Sequence, residues 1–375
     1  MSKILINALQ FSSNGAGISR YSHKLSENLV KSNNNIDILC RDTVANEFTR
    51  PEKLIEVSID EDKSSERIIK EQLTSLKFYK DYELVHFLDY ATPVLYKGKK
   101  LATIHDMAMH TMKDKFTKRQ IITKKLLLEN TIKHADKLIC ISKFTANELL
   151  HYYPNIDNSK IEVVYNGFEY KEINLNSKII TSTLDKFKIK KDYLLFVGTL
   201  SPHKNVKRIV EAFNELKKQG YDYNLVICGK KGWLYDDIFS QVKYLNLENE
   251  VIFTGYVTDE ELEVLYRNTK LFVFPSLYEG FGFPPIEAMA RKVPVLTSKE
   301  GALPEIVGDA AVFCDAYDVN DIASKIVEII ENEKLKKSLI QSGLERIKYF
   351  SWENTCMSIN KIYDEVLRNG DNSWL

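Results

Sequence analysis

Short, uninterrupted apolar runs rich in Ile, Val, Leu and Phe alternate with longer amphipathic stretches along almost the whole chain. In the first half the runs are KILINAL (3–9), IDILC (36–40), ELVHFL (83–88), KLATIH (100–105), KLICIS (137–142) and IEVVYN (161–166). In the second half they are YLLFVG (193–198), NLVICG (224–229), VIFTGY (251–256), LFVFPS (271–276), VPVLTS (293–298) and AAVFCD (310–315). A strand without polar alternation is buried on both faces, so such runs separated by helices predict parallel sheets covered on both sides. Helices are expected over 18–32, 65–79, 117–134, 143–151, 205–219, 258–268, 320–332 and 353–368.

At roughly 100–200 residues per domain, 375 residues predict two domains, each with its own core. The Lys/Asn/Ser-rich stretch 168–192 precedes a strong strand and marks the seam. The expected division is 1–172, 173–350, and a last helix in 351–375 crossing back to the first domain. Fifty-two Lys+Arg balance fifty-two Asp+Glu, so no global field favours nucleic acid. No apolar run approaches the ~18–20 residues of a membrane span, and MSKILINALQF lacks the long apolar region of a signal peptide, which predicts a soluble, cytoplasmic protein. Cys40, Cys140, Cys228 and Cys314 close apolar runs, as small buried residues near strand ends do. No C-x-x-C pair or metal-ligand spacing is present.

The segment most specific for chemistry is FPSLYEGFGFPPIEAMA (274–290). A strand ends at Phe274, a glycine-bearing loop follows, and Pro284–Pro285 open a helix, where the missing N–H costs nothing. Backbone N–H groups and a helix's positive end then face an anion. Gly280 and Gly282 allow close approach. Glu279 and Glu287 are acceptors suited to sugar hydroxyls rather than phosphate. The same turn also fits an ordinary helix start with two solvated glutamates. Lys204, in VGTLSPHKN (197–205), follows a strand just before a helix, where a fixed cation can face an anion or sit solvated at the helix start. The glycine loop GAGISRY (15–21) is a partial G-x-G-x-x-G, equally a tight strand-to-helix turn. His105–Asp106 end the strand KLATIH, where a lone histidine is commonly structural.

Six segments in order, GAGISRY, TIHD (103–106), VVYNG (163–167), VGTLSPHKN, FTGYV (253–257) and EGALPEIVGDAA (300–311), together with the Glu279-x7-Glu287 pattern, resemble the retaining family 4 glycosyltransferases. The resemblance spans most of the chain. It implies an α/β GT-B fold, two doubly wound Rossmann-like domains facing each other across a cleft. It also implies a donor-binding set of Glu287, Gly282, Phe283, Gly280, Gly17, Gly15, Thr199, Arg208, Tyr256, Val257, Gly301 and Leu303, with Ala302 and Glu305 nearby. Glu287 would accept from the ribose hydroxyls and Glu279 from the transferred sugar. Lys204 would stabilise the leaving diphosphate, His105 would lie at the sugar hydroxyls, and Asp106 and Arg20 would reach the acceptor. For Tyr256 and Val257 core packing is the competing reading, and for Glu305 a helix cap.

The chain departs from the family's pattern where many members carry Arg after the glycine; Thr199 stands here, which implies either a substitute cation, Arg208 or His203, or a site with one fewer charge. Lys292 replaces a glycine usual before PV. No P-loop, H-E-x-x-H or G-x-S-x-G is present. The only D-x-D, Asp60-Glu61-Asp62, reads as solvated, so metal-independent transfer without a cofactor is expected. The variants most resemble bacterial mannosyl- and rhamnosyltransferases of surface polysaccharide (lipopolysaccharide, O antigen) assembly. They predict a hexose, mannose first, moving from GDP-mannose to a hydroxyl of a glycan or lipid-linked glycan. The alternatives are a non-catalytic sugar-binding partner and an NAD-dependent oxidoreductase. Residues 113–137 carry eight Lys/Arg against three acids. They read as a helix with a solvated basic edge, or as a contact with an anionic membrane.

Overall fold

The computed structural model describes residues 3–13, 15, 17–48, 53–59, 64–74 and 76–368. Asp60-Glu61-Asp62 lies outside them. The chain divides into two compact units, Met1–Phe168 with Phe350–Leu375, and Glu169–Tyr349.

The first unit is built on seven strands: β1 (Ile4–Asn7), β2 (Ile36–Arg41), β3 (Leu54–Val57), β4 (Leu84–Phe87), β5 (Lys99–Ile104), β6 (Lys137–Cys140) and β7 (Ile161–Val163). All pair in parallel, in the order β3-β2-β1-β4-β5-β6-β7. The second unit holds β8 (Tyr193–Val197), β9 (Asn224–Cys228), β10 (Val251–Gly255), β11 (Leu271–Phe274), β12 (Val295–Ser298) and β13 (Val312–Cys314). Its parallel order is β10-β9-β8-β11-β12-β13. In each sheet the chain first works outward on one side and then restarts beside its first strand. The reversal points lie between β1 and β4 and between β8 and β11. At such points successive loops diverge and open a crevice beyond the strands' carboxyl ends.

β1, β2, β4, β6, β9, β11 and β12 are buried at every residue, as continuous apolar runs require. β3 was not legible because LIEV is four residues long with a glutamate inside it. The expected helix over 65–79 is broken into Ser64–Ile69, a π-helical turn Lys70–Thr74, and Leu76–Tyr79. The seam is not an open linker throughout. Asn176 caps a helix at Ser177–Lys186, and Leu184 and Phe187 pack on the second core. Helices Asp236–Tyr244 and Glu333–Arg346 also form where none was expected. All five cysteines are buried and free. Lys292 takes the left-handed backbone, φ 61°, that glycine adopts at no steric cost.

The last helix, Trp352–Arg368, belongs to the first unit, where its apolar face joins the core around β1 and β2. One polar contact fixes its position. The Tyr363 hydroxyl lies 2.7 Å from His86 Nδ1, and His86 Nε2 lies 3.0 Å from Thr103 Oγ1. Burial, with His105 adding to it, pushes the His86 pKa down to about 3. The unfolded chain therefore takes up a proton below about pH 6.5 that the folded chain refuses, and stability falls as pH drops, by about 1.4 kcal/mol per unit. His86→Gln is expected to flatten this acid limb by about one proton in urea melts between about pH 6.5 and 4.5. An unchanged slope would mean that His86 ionises in the folded protein.

Candidate active site

The second unit's reversal point is where its charged groups converge. Beyond β8 the chain makes a short 3-10 turn, Pro202–Lys204, and Asn205 turns left-handed, φ 60°, into the helix Val206–Lys218. Beyond β11 lies the loop carrying Glu279, which ends at Gly282 and the helix Phe283–Ala290. Backbone bonds lace the two loops, with Leu277 N–H donating to the His203 carbonyl at 2.7 Å. The buried Asn205 adds two more, its Nδ2 donating to the carbonyls of Pro275 at 3.0 Å and Ala316 at 2.6 Å. Sequence reading passed over Asn205. Its signal was an asparagine at a helix start, a residue that tolerates the left-handed turn.

This lacing brings the Lys204 ammonium to 2.5 Å from Glu279 Oε1, with the two side chains only 15% and 12% exposed. A pair so withdrawn from water is held by its partners, and losing one leaves the other's charge stranded. Gly301, beyond β12, presses on the Glu279 backbone. A β-carbon there would lie 2.6 Å from Glu279 N, and its φ of 64° is already left-handed. Ala302 N–H donates to the Glu279 carbonyl at 2.9 Å. Gly282 packs against Leu303, whose Cδ2 would lie 2.9 Å from an added β-carbon. Pro284 and Pro285 leave Gly282 and Phe283 to supply the N–H groups at this helix start. Thus Lys204, Glu279, Gly280, Gly282, Phe283, Gly301, Ala302 and Leu303 share one edge. Glu287 stands one turn into the helix and accepts at Oε2 from the Tyr266 hydroxyl at 3.1 Å. Glu305 is in the first turn of the helix Leu303–Val307.

Other expected residues sit differently. Arg208 donates to Asn205 Oδ1 at 2.9 Å and covers the Tyr317 ring, and His203 Nδ1 lies 3.2 Å from Ser201 Oγ. Beside the exposed Thr199, Leu200 N–H donates to the Lys230 carbonyl at 2.9 Å, so the backbone at the end of β9 borders the position. The doubled lysine after NLVICG was its overlooked signal. Lys230 Nζ lies 4.6 Å above the ring of Tyr256, which is 73% exposed. Val257 is buried in the core, so only its backbone is available to a ligand.

In the first unit, Gly15 and Gly17 lie in the loop beyond β1, where Ser19 Oγ accepts from Ser12 N–H at 2.9 Å. Arg20 is exposed in the first turn of the helix Ile18–Ser32. His105 follows β5 and is buried, its Nε2 2.9 Å from the Leu88 carbonyl. A carbonyl only accepts, so Nε2 carries the proton and Nδ1 is the acceptor. Burial lowers the pKa and favours this neutral form, against smaller opposing effects of the Leu88 bond, Asp89 and Asp106. Asp106 Oδ1 accepts from Ala108 N–H at 2.9 Å, two residues on in the chain, just before a short helix. Among the described residues no group of three His, Cys, Asp or Glu gathers as a metal site.

Residues 15–172 match the family described as Glycosyltransferase Family 4, and residues 183–346 the family Glycosyl transferases group 1. O-antigen chain mannosyltransferase B of Escherichia coli is 30% identical over 294 residues, 78% of this chain and 76% of that protein. The chain belongs to glycosyltransferase family 4. Serotype-specific mannosyltransferase WbdA of Escherichia coli is 31% identical over 226 residues, 59% of this chain but 28% of that longer protein. Two solved structures share the fold: sucrose-phosphate synthase of Thermosynechococcus elongatus, and Anabaena HepE in complex with UDP and glucose. The first has a TM-score of 0.77 and 20% identity, covering 98% of this chain and 100% of its own. The second has a TM-score of 0.77 and 16% identity, covering 97% and 100%. The architecture is GT-B, and this glycosyltransferase is neither an oxidoreductase nor a mere binding partner.

Two substitutions test the site. Lys204→Ala is expected to lower kcat by about a hundredfold or more, the usual effect of removing one preorganised charge-stabilising group. Gly301→Ala should lower kcat/KM by about tenfold or more by displacing the Glu279 backbone. Both are measured by sugar transfer alongside a melt; wild-type rates in folded variants would remove this edge from the reaction.

Proposed function

We propose that this glycosyltransferase moves mannose from GDP-mannose to a hydroxyl of a growing surface polysaccharide, with retention and without a metal. The observation that carries the reading is the Lys204–Glu279 pair at the β8/β11 reversal point, beside the start of the helix Phe283–Ala290. A diphosphate sugar presents phosphates to Lys204 and the Gly282 and Phe283 amides, and sugar hydroxyls to Glu279. Glu287, steadied by Tyr266, suits the ribose hydroxyls, and the Tyr256 ring with Lys230 suits the base. The bond from the anomeric carbon to the phosphate oxygen breaks, the acceptor oxygen bonds to that carbon on the same face, and its proton passes to the leaving phosphate oxygen. No side chain is needed as a base. Lys204 offsets the charge that a metal offsets elsewhere. The mannose assignment is supported by the likeness to O-antigen mannosyltransferases.

A thermal-shift screen with GDP, UDP, ADP and NAD, each with and without chelator, tests the donor. A ligand at about 100 times its Kd adds about 2.7 kcal/mol. Stabilisation by GDP despite chelator is expected; a response to UDP alone would move the donor assignment to a uridine sugar.

We also propose that the enzyme works in the cytoplasm, docked at the inner membrane surface by the helix Lys118–His134. No helix among the described residues is long and apolar enough to cross a membrane. Of its apolar residues Ile121, Ile122, Leu126, Leu127, Leu128 and Ile132 only Leu128 is buried. Ile122 and Leu126 are 60% and 61% exposed, on one face with Arg119. An exposed apolar pair among cations suits an anionic interface. Sedimentation with anionic but not zwitterionic vesicles is expected, and Ile122→Ser/Leu126→Ser should abolish it; no lipid-dependent binding would sink the idea.

A further inference from the structure

A second buried charge cluster joins two helices of the second unit, Asp259–Asn268 and Phe283–Ala290. Glu263 lies on the first and is fully buried. Arg291 follows the last residue of the second, with only 13% of its side chain exposed. Arg291 Nε donates to Glu263 Oε2 at 2.7 Å, and its Nη1 donates to the Glu287 carbonyl at 2.9 Å. The other oxygen of Glu263 accepts from the Tyr170 hydroxyl at 2.6 Å. The guanidinium stands over two rings at once, 4.7 Å from the centre of Tyr170 and 4.8 Å from that of Tyr266. Tyr266 in turn donates to the Glu287 carboxylate. Burial, with the Glu287 charge adding to it, raises the Tyr266 pKa well above its usual value, so the hydroxyl stays a donor.

Stability alone does not call for the Arg291–Glu263 pair, because apolar groups of similar volume do as well or better in such a place. What a buried and fully bonded network supplies is a fixed geometry. Here both fixed points bear on one residue. Arg291 holds the backbone of Glu287, and the Tyr266 ring packed on the guanidinium holds its carboxylate. A glutamate side chain is flexible, so an acceptor at a set position needs such bracing. A carboxylate accepts about four hydrogen bonds, so the Tyr266 bond leaves capacity for a diol.

We propose that the Arg291–Glu263 pair, closed by Tyr170, positions Glu287 and Tyr266 for the ribose diol of the nucleotide donor. The inference rests on the ribose reading of Glu287 given above. Arg291 and Glu263 are positioning residues, which act through Glu287 rather than by touching the nucleotide. Loss of the pair therefore removes recognition of the diol and leaves the contacts to phosphate and base as they were.

The test compares GDP and UDP, each with its 2′,3′-dideoxy analogue, by calorimetric titration of the full chain. Wild type is expected to bind the ribose form about tenfold or more tightly, the effect of hydrogen bonds to a carboxylate. Arg291→Lys keeps the charge but loses the planar fork. Arg291→Met/Glu263→Leu removes the pair without stranding a charge, and is expected to melt near wild type. In both variants the preference for ribose should fall to about threefold or less, with the dideoxy Kd unchanged. A merely structural role weakens both forms together, so a wild-type preference retained in either folded variant overturns the proposal. Should the double variant fail to fold, Arg291→Lys decides. Wild type that shows no ribose preference, or binds neither nucleotide, removes the ribose reading of Glu287 and this proposal with it, a failure seen before any variant is made.

Discussion

Parallel strands buried on both faces are the constraint from which the rest follows. Within each sheet every strand runs parallel to its neighbours, so each sheet has one edge at which all its strands end and loops are free to vary. Where strand order reverses, those loops diverge. Polar groups gather there in each sheet, Lys204 beyond β8 and Glu279 beyond β11 in one, Asp89 beyond β4 and His105 beyond β5 in the other.

The second unit handles charge by lacing loops rather than by adding ligands. Lys204 and Glu279 meet because Leu277 is bonded to His203 and Asn205 is bonded to Pro275 and Ala316. Gly301 then lets the β12 loop lie directly on the Glu279 backbone. A group held this way needs little reorganisation when charge develops beside it, which is what makes preorganised groups effective. Thr199, at the edge of the same cradle, leaves room that the backbone of Lys230 borders.

The first unit is more polar inside than its apolar strands suggest. His86 ties β4 to Tyr363 of the last helix and to Thr103 of β5, so the helix closes the core through a neutral imidazole. A few residues along the same strand direction, Asp89 and His105 are withdrawn from water at the sheet's edge. The first set docks the last helix, and burial favours the neutral form of both histidines.

Much of this was written in the order of residues. Continuous apolar runs determined parallel sheets, and glycine and proline after Phe274 marked the loop and helix start. Glu279, Glu287 and Lys204 stood out by their place after strands, and the resemblance supplied the roles expected of them. These are local signals, carried by neighbours in the chain. The sequence could not show that Lys204 and Glu279, 75 positions apart, form a buried pair, nor that Asn205 laces three loops. It hid the break of the 65–79 helix that presents Glu71 and Arg67 to Asp89, and the outward turn of Ile122 and Leu126. Those depend on which strands become neighbours and which helix faces are covered. Such choices are made by packing across the whole unit, because a contact between distant segments forms only once the sheet has brought them together.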